Sequence, residues 1–220
     1  MKNSEFFDSI QTMQKRHRIF IAINLPQDIK EILAGYEKKW PELPAKWVNA
    51  DNLHITLIFL GDLTDIELGE VCVIVKNVSE KHKSFNINLN KVAYGPDNKI
   101  PPRMIWASGD KVKELSLLKE DLEESLLQKV RFVPENRGFT PHITLARISD
   151  FQWRAIEPEE RPDVNEIIDL NFFVESIEVM SSSARSRFEG SSSARSQFEG
   201  ESVFKKSGPE YTIIESFSLI

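Results

Sequence analysis

Two histidines of this chain stand in the same four-residue setting. His54 opens HITL within LHITLIFLG, and His142 opens HITL within PHITLARI. With four histidines in the chain and roughly 6% per position for average composition, coincidence has odds of about one in a thousand. A strand sends residues i and i+2 to one face. Each motif therefore sets an imidazole beside a hydroxyl, His54 with Thr56 and His142 with Thr144. Ile55, Leu57 and Phe59 are expected to point the other way, toward packed helices, as are Ile143 and Leu145. An imidazole with an ordinary pKa of about 6.5 offers both protonation states near neutrality. Two that converge on a cleft can divide the labour of base and acid, each role being worth about 10²–10⁴ in rate. The threonine hydroxyls can donate to oxygens that gain charge in the transition state. The set suits in-line displacement at phosphorus, with one imidazole deprotonating water and the other protonating the departing alkoxide. That chemistry requires no metal.

Rival uses of the same residues are weaker. A lone histidine on an apolar strand is usually a satisfied core residue, and only the repeated threonine partner argues otherwise. A metal site would want a third ligand, commonly a carboxylate. Asp51 falls on the opposite face from His54 and Asp62 lies beyond Gly61, so neither a metal nor a cofactor is expected. Cys72 sits among valines in a helical pattern and reads as a small core residue rather than a nucleophile. There is no glycine-rich phosphate loop. His17 in QKRHR and His82 in SEKHK lie in charged stretches and receive no role.

The chain has 220 residues and a formal net charge of −6, with a pI near 5.4. No basic stripe for tracking along duplex nucleic acid is implied, because phosphate contacts dominate that affinity. A nucleic acid partner would be gripped at a small local site. No apolar run reaches the roughly 18 residues needed to span a bilayer, and MKNSEFFDSIQTMQKRH lacks the features of a signal peptide. The single cysteine excludes an intramolecular disulfide and suits a reducing compartment. A cytoplasmic monomer is the expectation.

Residues 1–17 read as a helical N-terminal extension, ahead of one domain over 18–220. RIFIAINL is a buried strand, and Ile29, Ile32, Leu33, Tyr36 and Trp40 recur at helical spacing over 27–39. AKWV is a short strand and LHITLIFLG a central one. Thr64 and Glu67 form a capping box for a helix to about Lys81. SFNINLNKVAY and RMIWAS are strands, and Asp110 is expected to cap a helix bearing Val112, Leu115, Leu118, Leu122 and Leu126. PHITLARI, LNFFVESIEVM and EYTIIESFSLI are strands, with a polar stretch at 150–169. The two HITL strands occupy matching places, which predicts an α+β fold of two pseudo-symmetric lobes with mainly antiparallel sheets facing a central cleft. SSSARSRFEG and SSSARSQFEG follow one another over 181–200 and differ only at Arg187 against Gln197. This tandem decapeptide reads as a lengthened exposed loop.

RIFIAINLP, KWVNADNLHITLIFLGDL, RMIWAS and FVPENRGFTPHITLAR, with the closing stretch FFVESIEVMSSS and EYTIIESFSL, resemble the 2H phosphoesterase superfamily. The likeness is to its bacterial and archaeal RNA 2′,3′-cyclic phosphodiesterases, also called 2′-5′ RNA ligases. The resemblance implies catalytic His54 and His142, substrate-binding Thr56 and Thr144, and a phosphate-contacting Arg147. Strict strand parity puts Arg147 opposite His142, so it reaches the cleft only if the strand ends or bulges first. The implied reaction is metal-independent hydrolysis of RNA or nucleotide 2′,3′-cyclic phosphate ends to 2′-phosphomonoesters, with reversible 2′-5′ ligation as the same chemistry run backward. His142 is expected as the base and His54 as the acid. Phe139 is a candidate for base stacking or for core packing. Two alternatives stay open: a phosphodiesterase for 2′-5′-linked oligonucleotides or small cyclic nucleotides, and a catalytically silent RNA-end-binding module.

Overall fold

The apolar runs and helical periodicities resolve into nine strands and four α-helices in a computed structural model that describes residues 15–96, 99–134, 138–183 and 209–220. In chain order these are β1 (Arg16–Asn24), α1 (Gln27–Ala34), β2 (Ala45–Trp47), β3 (His54–Thr64) and α2 (Asp65–Ser79). Then come β4 (Phe85–Gly95), β5 (Met104–Gly109), α3 (Lys113–Leu127), β6 (His142–Ile148) and α4 (Asp150–Arg154). The chain closes with β7 (Asn165–Val174), β8 (Ser176–Ser183) and β9 (Glu210–Ser218). Residues 1–14 of the expected N-terminal helix and most of the decapeptide repeat lie outside the described residues, whereas Arg16 and His17, expected to end that helix, open β1 by pairing with Thr64 and Leu63 of β3.

The strands run β7-β4-β5-β6-β3-β1-β8-β9, with β2 paired to β6 off that path, and every pairing is antiparallel. The two HITL strands are the central neighbours, so the order divides into a β7-β4-β5-β6 half and a β3-β1-β8-β9 half. The halves meet at one ladder position, Ile55 opposite Ile143. The two-halved α+β architecture is the expected one, with the sheets joined edge to edge. In each half a helix crosses from the second strand to the histidine strand, α1 between β1 and β3 and α3 between β5 and β6.

One core serves both halves. Val71, Val75 and Val78 of α2 and Leu115, Leu118, Leu122 and Leu126 of α3 are buried with Ile55, Leu57, Ile105, Ile143 and Val179 of the sheet. The side chains of α2 and α3 thus cover one face of the sheet, the one opposite the histidine side chains. The capping box is formed, Thr64 Oγ1 accepting from the Glu67 backbone and Glu67 accepting from the Thr64 backbone. Each such cap satisfies amide groups that the helix itself cannot pair.

Several expectations need correction. The 27–39 helix is α-helical only to Ala34 and tightens into a 3-10 turn over Gly35–Lys38, which lets Trp40 stack on Tyr36. Asp110 does not cap α3, whose N-cap is Val112; its carboxylate instead accepts from Asn90 Nδ2 at 2.8 Å. The polar stretch 150–169 contains α4, capped by the Ser149 hydroxyl, and the start of β7. LNFFVESIEVM is not one strand. β7 pairs with β4 in one half and β8 with β1 in the other, with Glu175 alone between them. Two residues span at most about 7 Å, so the halves converge at that point.

Candidate active site

The antiparallel sheet would alternate faces strictly if every residue had a partner. β3 does not comply. Thr56 faces Ala22 of β1 and Ile58 faces Ile21, so Leu57 is an extra residue, a β-bulge. Leu57 and Ile58 both turn into the core, and Phe59 emerges on the histidine side, 66% exposed. The expectation that Phe59 points away with Ile55 and Leu57 is thereby overturned. β6 bulges at the matching place: Thr144 faces Trp106 and Ala146 faces Ile105, leaving Leu145 extra. Leu145 and Ala146 are both buried, and Arg147 is delivered, exposed, to the face of His142 and Thr144. The bulge that Arg147 needs is present.

At the seam, the Ile55–Ile143 pairing acts as a local two-fold. Continuing the antiparallel register one step either way sets His54 level with Thr144 and Thr56 level with His142. All four side chains are half-buried, while the isoleucines between them are in the core.

Each imidazole is oriented by a backbone carbonyl two residues earlier. His54 Nδ1 lies 2.7 Å from the Asn52 oxygen, and His142 Nδ1 lies 2.8 Å from the Thr140 oxygen. A carbonyl only accepts, so these contacts place a proton on Nδ1 and leave Nε2 as the working nitrogen of the neutral ring. His54 Nε2 is 3.0 Å from Thr56 Oγ1. His54 is flanked by Phe20 at 5.0 Å and by Tyr211, edge-on, at 5.2 Å between ring centroids. Burial holds its pKa below the usual value; the Asn52 carbonyl opposes that shift, and the positive charges of Lys30 and His142 reinforce it. His142 stacks on Trp106, with centroids 3.8 Å apart and planes 24° apart. Gly95 makes room for that indole, since a Cβ there would lie 2.2 Å from Trp106 Cδ2.

Phe139 packs against the core with Lys119 over its ring at 5.2 Å, which supports the packing role. Burial pushes the Cys72 thiol up to about 11, with Glu215 adding to the effect, so it carries no thiolate near neutrality. His17 and His82 pair with Asp65 and Asp121. Phe20, Phe59, Trp106 and Tyr211 surround the histidines, and sequence reasoning assigns none of them to the site. They lie in apolar strand sequences whose facing depends on cross-strand register. Lys30, on α1, is a further neighbour of His54 that sequence reasoning does not assign to the site.

The comparisons with known proteins fall on this same architecture. The model of the family described as LigT like phosphoesterase matches residues 19–106, which include the first HITL motif. An RNA 2′,3′-cyclic phosphodiesterase of Bacillus subtilis is 31% identical over 133 residues, covering 60% of this chain and 72% of the relative. One of Aquifex aeolicus is 27% identical over 205 residues, covering 92% and 97%. Among solved structures, TT0787 of Thermus thermophilus superposes with a TM-score of 0.70 at 26% identity, over 92% of this chain and 97% of that one. Fold and likeness together define a phosphodiesterase of the 2H type. The chain belongs to the LigT-like phosphoesterase family.

Proposed function

We propose that this protein hydrolyses 2′,3′-cyclic phosphate ends of RNA or nucleotides to 2′-phosphomonoesters by paired-histidine catalysis, without a metal. Homologues named RNA 2′,3′-cyclic phosphodiesterase support the cyclic phosphate as substrate. The observation that carries the mechanism is the seam: the Ile55–Ile143 register sets two imidazoles of one tautomer, each with a threonine, on one open face.

In this reading His142 Nε2 takes a proton from water as the water oxygen bonds to phosphorus. The bond from phosphorus to O3′ breaks, and His54 Nε2 gives its proton to that oxygen. Thr56, Thr144 and Arg147 hold the non-bridging oxygens as charge builds. The setting of His54 suits an acid. A bound phosphodiester anion recruits its proton, and the depressed pKa makes that proton easy to give up. The exposed Phe59 and half-buried Tyr211, backed by the buried Phe20, offer an aromatic wall on the His54 side for the nucleobase. An alcohol in place of water would form a 2′-5′ linkage by the same route, which is the ligation reading.

Hydrolysis of nucleoside 2′,3′-cyclic phosphates in excess EDTA, with products resolved by phosphorus NMR, tests the proposal. A single 2′-phosphate product is expected. Activity lost in EDTA and restored by Zn²⁺ or Mn²⁺ would overturn the metal-free mechanism. Turnover confined to 2′-5′-linked oligonucleotides would move the substrate, and binding without turnover would leave a silent module. An activated substrate whose leaving group needs no acid should rescue His54→Ala and not His142→Ala. Rescue of the other variant would exchange the two roles.

A further inference from the structure

Lys30 is a lysine buried within a helix whose neighbouring residues Gln27, Asp28 and Glu31 face solvent. It is 6% exposed, which is rare for this residue type unless the ammonium has partners. Its Nζ donates to the backbone carbonyl of Asp51 at 3.2 Å. The negative charges of Asp51 and Glu178 favour its charged form against the larger, opposing effect of burial. Glu178 is itself fixed in place. Its carboxylate accepts from the Asn24 backbone at 2.9 Å and from the Ser176 and Ser216 hydroxyls at 2.6 and 3.1 Å.

Asp51 is the middle residue of a 3-10 turn, Ala50–Asn52, directly before β3. The next carbonyl along, that of Asn52, is the one that receives the proton of His54 Nδ1. The turn is closed by Asn52 N–H donating to the Asn49 oxygen at 2.9 Å and Leu53 N–H to the Ala50 oxygen at 3.0 Å. The Asp51 carbonyl shares a planar peptide unit with the Asn52 N–H, and the Asn52 carbonyl shares one with the Leu53 N–H, so the turn's two hydrogen bonds at those N–H groups tie the aim of one carbonyl to that of the next. We infer that Lys30 is a positioning residue for His54, holding the turn that orients the imidazole.

The inference rests on the reading that His54 transfers a proton, and the ring geometry can be tested apart from it. Lys30 also acts by charge. Among the described residues, the titratable or charged groups facing His54 are Lys30 from α1, His142 from β6 and Tyr211 from β9, while Asp51 and Glu178 face Lys30. The other half is built differently. Its crossover helix also buries a lysine, but Lys119 lies over the Phe139 ring and pairs with Glu123. The two imidazoles thus share a tautomer and differ in what stands behind it.

The test is nitrogen NMR of the histidine rings, with steady-state kinetics on a nucleoside 2′,3′-cyclic phosphate, for Lys30→Met and Lys30→Arg in the full chain. Lys30→Met should broaden or lose the Nδ1–H signal of His54 and raise the pH at which that ring titrates. Its kcat should fall roughly ten- to a hundredfold, as expected for a misplaced catalytic group, with KM nearly unchanged. Lys30→Arg, which keeps a charged donor, should restore most of both. A His54 titration and tautomer unchanged in Lys30→Met would overturn the inference, as would equal damage in the arginine variant. If circular dichroism shows Lys30→Met unfolded, Lys30→Gln takes its place under the same criteria. The ring signals decide the matter even if the protein turns over no cyclic phosphate.

Discussion

Ile55 and Ile143 face each other across the only ladder position that β3 and β6 share among the described residues. They occupy the same place in the two HITL motifs, so their pairing is self-complementary and a local two-fold through it carries one motif onto the other. Neither side chain reaches the cleft. Their packing in the core is what makes the four polar side chains beside them converge on the opposite face.

His54→Ala and His142→Ala should each lose roughly 10²–10⁴ in kcat, the usual worth of one acid–base role. Circular dichroism measured on the same samples should remain that of the wild type. Turnover within tenfold of wild type in either variant, with the fold intact, would end the two-histidine reading. Thr56→Val and Thr144→Val should cost about 10²–10³, as for one lost oxyanion donor.

The pH dependence follows from the surroundings of His54. Burial, aided by Lys30 and His142, depresses its folded pKa below 6.5. One limb of the kcat/KM profile should therefore lie on the acid side of 6.5. Limb shape alone cannot assign roles within a coupled pair. Stability carries the same sign. The neutral ring is favoured in the fold, so this contribution is present above the unfolded pKa and is lost as pH falls from there through the folded value. Thermal melts of wild type and His54→Gln should diverge over that interval, with the wild type losing more. Parallel melts from about pH 7 to 5, the range that brackets an ordinary imidazole, would contradict the assignment.

Gly95→Ala should disturb His142 without touching it. A methyl at this position meets the Trp106 ring at 2.2 Å, and overpacking of this kind typically costs about 1–3 kcal/mol. Because His142 stacks on the same indole, turnover should fall by more than the fraction unfolded. Activity that merely tracks the folded population would show that the stack is not needed.

Phe59→Ala should raise KM for a nucleoside cyclic phosphate and leave hydrolysis of a base-free ribose cyclic phosphate nearly unchanged. The side chain is exposed on the site face and lies 6.1 Å from Phe20, which itself flanks His54. Equal effects on both substrates would argue against a nucleobase contact.

Much of this is legible in the residues. The pairing of His54 with Thr56 and of His142 with Thr144 follows from the two-residue repeat of a strand, and the Thr64–Glu67 cap is a local signature that forms as it reads. What escapes is set by partners distant in sequence. A bulge is a one-residue mismatch between neighbouring strands, and nothing in LIFLG or LARIS announces it. Strand parity therefore puts Phe59 on the wrong face, and leaves Arg147 dependent on an event that no local pattern encodes. The break at Glu175 is hidden for a similar reason, since LNFFVESIEVM is rich in apolar residues on both sides of it and either half could have taken it. Trp106 becomes a site residue only through its register opposite Thr144.

The matched bulges bear on regiochemistry. A site with true two-fold symmetry would have no means to tell O2′ from O3′ of a cyclic phosphate. Either ester could be opened, and both phosphate isomers would form. Five residues beyond each histidine, the same backbone irregularity presents a phenyl ring on one side and a guanidinium on the other. Under the proposed hydrolysis, Phe59 and Arg147 join the unlike aromatic neighbours of the two histidines, Phe20 and Tyr211 against Trp106, in breaking that equivalence.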